Sequence, residues 1–181
     1  MNEKVKKISK TFSNFKEEEK WLKEMSDAGW MLIKYGTEVV SDNTYVFKRN
    51  LKTKYIIFKV DYREFNAVSE YEEYKEISED SGWILVSKNK SYSKHIFYTE
   101  SINLSKVIFS DSQSFKGRES RKMHSSLMTF FSTLIVFLIC ILLYSIYGWA
   151  GFGGVGLLTL FGSFKYLMDY IKHRKVYKSI I

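Results

Sequence analysis

The chain has 181 residues, enough for one ordinary domain and a short membrane module. Its formal net charge of +8 is uneven: residues 1–115 contribute +1 and residues 116–181 contribute +7. An excess of basic residues beside apolar segments suits membrane orientation and anionic headgroups, so a nucleic-acid partner is not expected. Cys140 is the single cysteine in the sequence, which excludes an intramolecular disulfide.

Two acidic amphipathic helices with the same ending indicate an internal duplication. One precedes Gly29 and Trp30, the other precedes Gly82 and Trp83, and the two copies align with an offset of 53 residues. A glycine at the end of a helix predicts a C-terminal cap with positive φ. The tryptophan that follows each glycine is expected to open a strand and to lie in the core.

Each helix is flanked by strand candidates in the order β-α-β-β. The candidates lie at 5–12, 30–36, 43–49, 54–62, 83–88 and 92–99, with turns near 41–43 and 89–91 and a weaker strand candidate at 104–109. Two such units side by side predict an α+β domain over residues 1–110, in which duplicated β-α-β-β units form one antiparallel-type sheet with two helices.

The C-terminal part predicts a membrane module. Residues 127–147 form an uncharged apolar run that is long enough to span a bilayer as a helix. Residues 150–171 are apolar and glycine-rich but contain a lysine and an aspartate, so they predict a second span or, alternatively, an interfacial helix. A basic linker at 111–126 and a basic tail at 172–181 flank these segments, whereas the connector is uncharged. The positive-inside rule therefore predicts a two-helix transmembrane hairpin with both termini in the cytoplasm.

No residue set in the sequence predicts an active site or a metal centre. The three histidines, His95, His124 and His173, are far apart, and one cysteine cannot complete a zinc site with them. No phosphate-binding loop precedes a helix in the soluble region. We therefore expect neither an enzyme nor a cofactor.

Aromatic residues are dense in the predicted strands, where they either fill the core or line a cleft. If the two units lie side by side, their junction makes a concavity in which aromatic faces favour apolar cations and a carboxylate supplies the counter-charge. The residues predicted to bind such a ligand are Tyr45, Phe47, Tyr55 and Tyr98, with Asp61 or Glu64 as the carboxylate.

The soluble domain resembles the bacterial family called domain of unknown function 2812 in five segments: EEEKWLKEMSDAGWML, TYVFKR, YIIFKVDY, YKEISEDSGWILV and HIFYTE. The resemblance covers roughly residues 5–100 and rests mainly on the two Gly-Trp helix ends. It implies C-terminal membrane spans and a gene beside a PadR-like transcriptional regulator. The implied role is regulatory or sensory, and the implied partners are the lipid bilayer and a PadR-like regulator or another membrane protein.

These features predict a membrane-anchored, cytoplasm-facing sensory or regulatory domain that binds a small apolar or cationic ligand or a regulator protein. The alternative is a membrane accessory or scaffold protein that acts purely by protein–protein interaction, without ligand or catalysis. A cleft with convergent aromatic side chains would favour the first interpretation. A filled core with an exposed apolar patch would favour the second.

Overall fold

The chain forms two compact units, Met1–Ser110 and Asp111–Ile181, each with its own internal packing. The computed structural model describes residues 4–36, 44–50, 55–86, 93–100 and 112–180. The turns expected near 41–43 and 89–91 and the strand candidate at 104–109 lie outside the described residues.

The first unit repeats the order β-α-β-β, which confirms the α+β class. Its first repeat comprises β1 (Val5–Ser9), α1 (Phe15–Asp27), β2 (Trp30–Tyr35) and β3 (Thr44–Arg49); its second comprises β4 (Ile57–Tyr62), α2 (Val68–Asp80), β5 (Ile84–Leu85) and β6 (Lys94–Thr99). In each repeat the last strand pairs antiparallel with both others, so the strand orders β1-β3-β2 and β4-β6-β5 are equivalent.

The prediction of one continuous sheet is wrong, because the described strands form two separate three-stranded sheets. Each repeat completes a sheet of its own, since its first two strands both pair with its third. The outer edge of β4 faces α1, where Glu19 Oε1 accepts a hydrogen bond from the Val60 backbone N–H at 3.0 Å. A helix side chain therefore takes the donor that an additional neighbouring strand would need.

The helix ends follow local sequence signals. The Asn14 side-chain oxygen accepts a hydrogen bond from the Glu17 backbone N–H at 3.0 Å, which caps the start of α1. Gly29 and Gly82 have φ angles of 79° and 82°, as predicted for residues that terminate helices. Both helices therefore end where a residue without a side chain allows the backbone to reverse.

The core of the first unit has two parts, one on each face of the second sheet. The larger part also includes α1 and the first sheet, and its buried residues are Phe15, Leu22, Leu32, Tyr35, Tyr45, Phe47, Ile56, Phe58, Val60, Tyr62 and Ile96. The smaller part lies under α2 and consists of Tyr71, Tyr74, Trp83, Leu85 and Phe97. Trp83 is therefore a core residue, whereas Trp30 is only partly buried, with the Arg49 guanidinium 5.2 Å from its ring.

The second unit is an antiparallel pair of helices, α3 (Ser112–Tyr147) and α4 (Ala150–Ser179). The hydroxyls of Thr133 and Ser163 lie 2.9 Å apart, and the Glu119 Oε2 and His173 Nδ1 atoms lie 2.6 Å apart. The contact nearer the start of α3 is the one nearer the end of α4, so the helices are antiparallel and the start of α3 lies beside the end of α4.

Most of the predicted basic linker at 111–126 and of the basic tail at 172–181 is helical, since α3 already begins at Ser112 and α4 continues to Ser179. Residues 112–126 contain one glycine and no proline, and their Lys, Arg, Glu and Met residues are good helix formers. The basic residues of these segments therefore lie within the ends of α3 and α4, not in separate non-helical linkers.

One helix in the described part of the chain, Ser114–Tyr147 within α3, is long and apolar enough to cross a membrane, with a mean hydropathy of 2.6 in its most apolar stretch. The apolar part of α4 contains Lys165 and several glycines, which lower its hydropathy. Association with a membrane therefore rests on α3, and the second span stays a prediction.

Candidate functional site

The aromatic residues predicted to line a cleft lie in different surroundings. Tyr45 and Phe47 are fully buried in the larger core, with ring centroids 6.5 Å apart. Tyr98 is partly buried on the same side of the second sheet, with its ring 6.3 Å from that of Phe58. Tyr55 is 52% exposed. Most of the predicted aromatic set therefore belongs to a filled core.

The two predicted carboxylates are each engaged by a tyrosine. Asp61 is buried and accepts a hydrogen bond from the Tyr74 hydroxyl of α2 at 2.8 Å, so it lies on the face of the sheet opposite Tyr98. Glu64 accepts a hydrogen bond from the Tyr62 hydroxyl at 2.8 Å. The structure does not bring these carboxylates and the four aromatic side chains together around one cavity.

A buried ionic contact joins the two repeats. The Lys94 ammonium of β6 lies 2.9 and 3.0 Å from the two carboxylate oxygens of Glu18, which is 2% exposed on α1. The Tyr45 hydroxyl donates a hydrogen bond to Glu18 at 2.6 Å. Burial, reinforced by the Glu18 charge, raises the pKa of Tyr45 far above its usual range, so this phenol stays protonated. The cluster therefore acts as a junction between repeats.

Sequence reasoning missed this junction, although a signal for it exists. Glu18 lies three and four residues before Trp21 and Leu22, which places a carboxylate on the apolar face of the helix. Lys94 lies two residues before Ile96 in its strand and therefore faces the core with it. Opposite charges on two inward-facing positions indicate a buried pair.

A second polar group lies under α2. His95 is fully buried, and its Nε2 atom lies 3.1 Å from the backbone oxygen of Arg63. Burial lowers the pKa of His95 and raises that of Tyr71, whose ring centroid lies 6.0 Å from the imidazole. Both side chains are therefore neutral at physiological pH. This group is enclosed in the core, whereas the Lys94 side chain of the Glu18 junction keeps 17% exposure.

An open groove of about 630 Å³ runs along the exposed side of α1 beside the start of β4. It is lined by Asn14, Lys16, Glu17, Glu19, Lys20, Lys23, Ile57 and Phe58. The three lysines follow one helical stripe, but Glu17 and Glu19 line the same side, and Lys20 and Lys23 pair with Glu24 and Asp27, so the rim carries both charges. The β4 residues form an apolar wall. The Lys23 ammonium lies 5.0 Å from the ring of Tyr55, so Tyr55 is the predicted ligand residue that lies next to this groove.

The β4 edge also directs backbone groups toward α1. The Arg63 backbone N–H points toward β6 and donates a hydrogen bond to the Ser93 backbone oxygen at 2.8 Å. Val60 instead directs its N–H to Glu19 on α1. Alternate residues of an antiparallel edge strand point the same way, so the backbone of Phe58 also faces α1. The groove thus combines an apolar wall, a strand edge and a rim that carries both charges.

The family model described as Protein of unknown function (DUF2812) matches residues 14–132, which is more than half of the chain. The chain belongs to this family. The match runs from the start of α1 through the second repeat of this DUF2812 member and into α3. No curated protein and no solved structure matches the chain.

The described part of this DUF2812 chain contains no group of three or more His, Cys, Asp or Glu side chains that could hold a metal ion. In the first unit, the Tyr45 hydroxyl donates to Glu18, the Tyr74 hydroxyl donates to Asp61, and His95 Nε2 contacts the Arg63 backbone oxygen. The Tyr71 hydroxyl and His95 Nδ1 are buried without a hydrogen-bond partner among the described residues. The groove is lined by lysines, carboxylates and apolar side chains.

Proposed function

We propose that this DUF2812 protein is a membrane-anchored, cytoplasm-facing regulatory domain that binds a segment of another protein in the groove beside α1. The observation that carries the proposal is the groove itself, which is open, apolar on its β4 side and lined by charged residues of both signs on its α1 side. The partner class is a regulator or another membrane protein, as the family resemblance implies.

The form of the groove favours a protein segment over a small molecule. Sites for small ligands enclose most of the ligand, whereas this groove is open to solvent beside α1. Lys16 and Lys23 are seven residues apart, which corresponds to about 10 Å of helix and about three residues of extended chain. Ile57 and Phe58 offer such a segment an apolar surface.

The helix pair supports the membrane part of the proposal. Its antiparallel packing brings the basic ends of α3 and α4 to one side, while the uncharged connector at Tyr147 and Trp149 lies at the other. If α3 and α4 both span, the positive-inside rule orients both termini to the cytoplasm. Reporters before Met1 and after Ile181 should then both report the cytoplasm, and opposite locations would leave one span and refute the hairpin.

Photo-crosslinking in cells tests the groove. A photoreactive amino acid at position 20, in the groove, should capture a partner protein, whereas the same residue at position 34 should not, since Lys34 is exposed on the first sheet. Adding Lys16→Glu and Lys23→Glu to the position-20 variant should abolish capture, with only a small fall in melting temperature because the lost Lys23–Asp27 pair is exposed. Equal capture at both positions, or capture that survives the charge reversal, would refute the groove as the binding site.

The scaffold interpretation is the second candidate, and the filled aromatic core favours it. With Tyr45 and Phe47 buried, the first unit has a packed interior in place of the predicted aromatic cleft. A scaffold and a regulator would use the same groove but differ in output: only for a regulator should Lys16→Glu with Lys23→Glu change expression of target genes. A rise in melting temperature with lipophilic cations, lost in Tyr55→Ala, would instead favour a small-ligand sensor.

A further inference from the structure

We infer that the exposed basic surface at the end of α4 binds the headgroups of anionic phospholipids. This basic surface is formed by Lys172, Arg174, Lys175 and Lys178, all of which are exposed. The inference rests on the proposed membrane anchor and adds to it a preference for one class of lipid.

The arrangement around the helix makes these residues a continuous surface. At about 100° per residue, the four side chains occupy roughly 160° of the α4 circumference. His173, which contacts Glu119 of α3, lies outside this arc. The basic surface therefore faces away from α3, toward the medium around the helix pair.

The position along the helix matches the headgroup layer. The uncharged run of α3 begins at residue 127, which lies between Glu119 and Thr133, the residues that contact His173 and Ser163 of α4. The apolar boundary therefore crosses α4 between 163 and 173. At 1.5 Å per residue from a boundary about midway between those positions, Lys172 lies roughly 7 Å beyond the hydrocarbon, within a headgroup layer of roughly 5–8 Å. The other three basic residues lie roughly 10–16 Å beyond it, from where their long side chains can extend back toward the phosphates.

The charge balance at this end selects anionic partners. Asp169 lies 3.7 Å from Lys172 and compensates part of its charge. Arg174, Lys175 and Lys178 have no acidic side chain within ion-pair distance among the described residues of the chain. A phosphate diester with a net negative headgroup supplies the missing counter-charge, whereas a zwitterionic headgroup carries its own cation.

The test uses the full chain reconstituted in symmetric vesicles, so that the orientation of insertion does not matter. Electron spin resonance of spin-labelled phosphatidylglycerol and phosphatidylcholine gives the association constant of each lipid for the protein. The native chain should prefer phosphatidylglycerol several-fold. Each basic residue near an anionic surface contributes roughly fivefold in affinity at most, so K172Q/R174Q/K175Q/K178Q should lower the preference several-fold, and the basic residues at the adjacent end of α3 should retain part of it.

A matched variant removes four exposed lysines of the first unit that lie outside the groove, K4Q/K7Q/K10Q/K34Q, and should keep the native preference. Equal association of both lipids with the native chain, or equal loss of preference in both variants, would overturn the inference. Release of the chain from membranes by alkaline carbonate would instead refute the anchor itself, so the two failures are distinguishable.

Discussion

The Glu18–Lys94 contact should contribute to the joint unfolding of the two repeats, in addition to the apolar core that they share. Lys94→Met keeps the length of the side chain but leaves the Glu18 carboxylate, 2% exposed, with the Tyr45 hydroxyl in place of its cation. Removing one partner of a buried ion pair costs about 3–5 kcal/mol. Because the Lys94 side chain keeps 17% exposure, we place this variant near the lower end, at about 3 kcal/mol.

The reverse change should cost less. Glu18→Gln leaves the Lys94 ammonium partly exposed and 4.5 Å from the ring of Tyr35, which offers residual stabilisation. We expect about 1–2 kcal/mol for Glu18→Gln. The double variant removes both charges, so its loss should fall short of the sum by about 1–3 kcal/mol, the usual coupling between contacting residues.

Denaturation of the full chain in mild detergent, followed by tryptophan fluorescence, measures these free energies, since Trp21, Trp30 and Trp83 all lie in the first unit. The exposed pair Lys20–Glu24 is the control, with atoms 3.9 Å apart and an expected coupling below about 0.5 kcal/mol. A coupling for Glu18 and Lys94 as small as this control would refute the argument. Two separate transitions in the native chain would show that the repeats are not joined.

Three further outcomes follow from the fold. Gly29→Ala should destabilise the fold more than Gly82→Ala. Both residues have positive φ, which costs alanine about 1 kcal/mol, but only at Gly29 would the new Cβ also lie 3.3 Å from the Asn50 backbone oxygen; at Gly82 it meets nothing within 4 Å. Equal losses of stability in the two variants would contradict this contact. Burial lowers the pKa of His95, so the unfolded chain binds the proton at a higher pH than the folded chain does. As the pH decreases below about 6.5, the free energy of unfolding should therefore decrease by up to about 1.4 kcal/mol per pH unit. Denaturation at several pH values should show a shallower decrease for His95→Gln. The fragment 1–110 should be soluble and unfold cooperatively by circular dichroism, and aggregation would mean that it depends on the helix pair.

Local signals were sufficient for the element order but not for the sheet partition. Gly29 and Gly82 fix the helix ends through their own backbone conformation, so the sequence around them determines the outcome. Whether β4 joins the first sheet depends on what covers its outer edge. That cover is a hydrogen bond between Glu19 and Val60, 41 residues apart, and no local pattern encodes the pairing.

The candidate site illustrates a related limit. Strand alternation correctly marks Tyr45 and Phe47 as inward-facing, but it does not tell whether a core or a cleft lies opposite them. Leu22 of α1 and Val60 of β4 pack in the same core cluster as these rings, and both depend on the tertiary arrangement. The groove could not be predicted either, because its walls come from α1 and β4, elements of different repeats.

The duplication explains why the groove forms on α1. With the offset of 53, Glu18 and Glu19 of α1 correspond to Tyr71 and Glu72 of α2. The α1 carboxylates reach across to Lys94 and to β4 in the other repeat. Tyr71 instead packs in the core of its own repeat, and Glu72 lies 3.6 Å from Lys75 on the same helix. Helix α1 thus holds both sheets and leaves a lysine-bearing stripe beside a strand edge, whereas α2 completes only its own sheet. The divergence of two helix positions therefore accounts for both the junction and the groove.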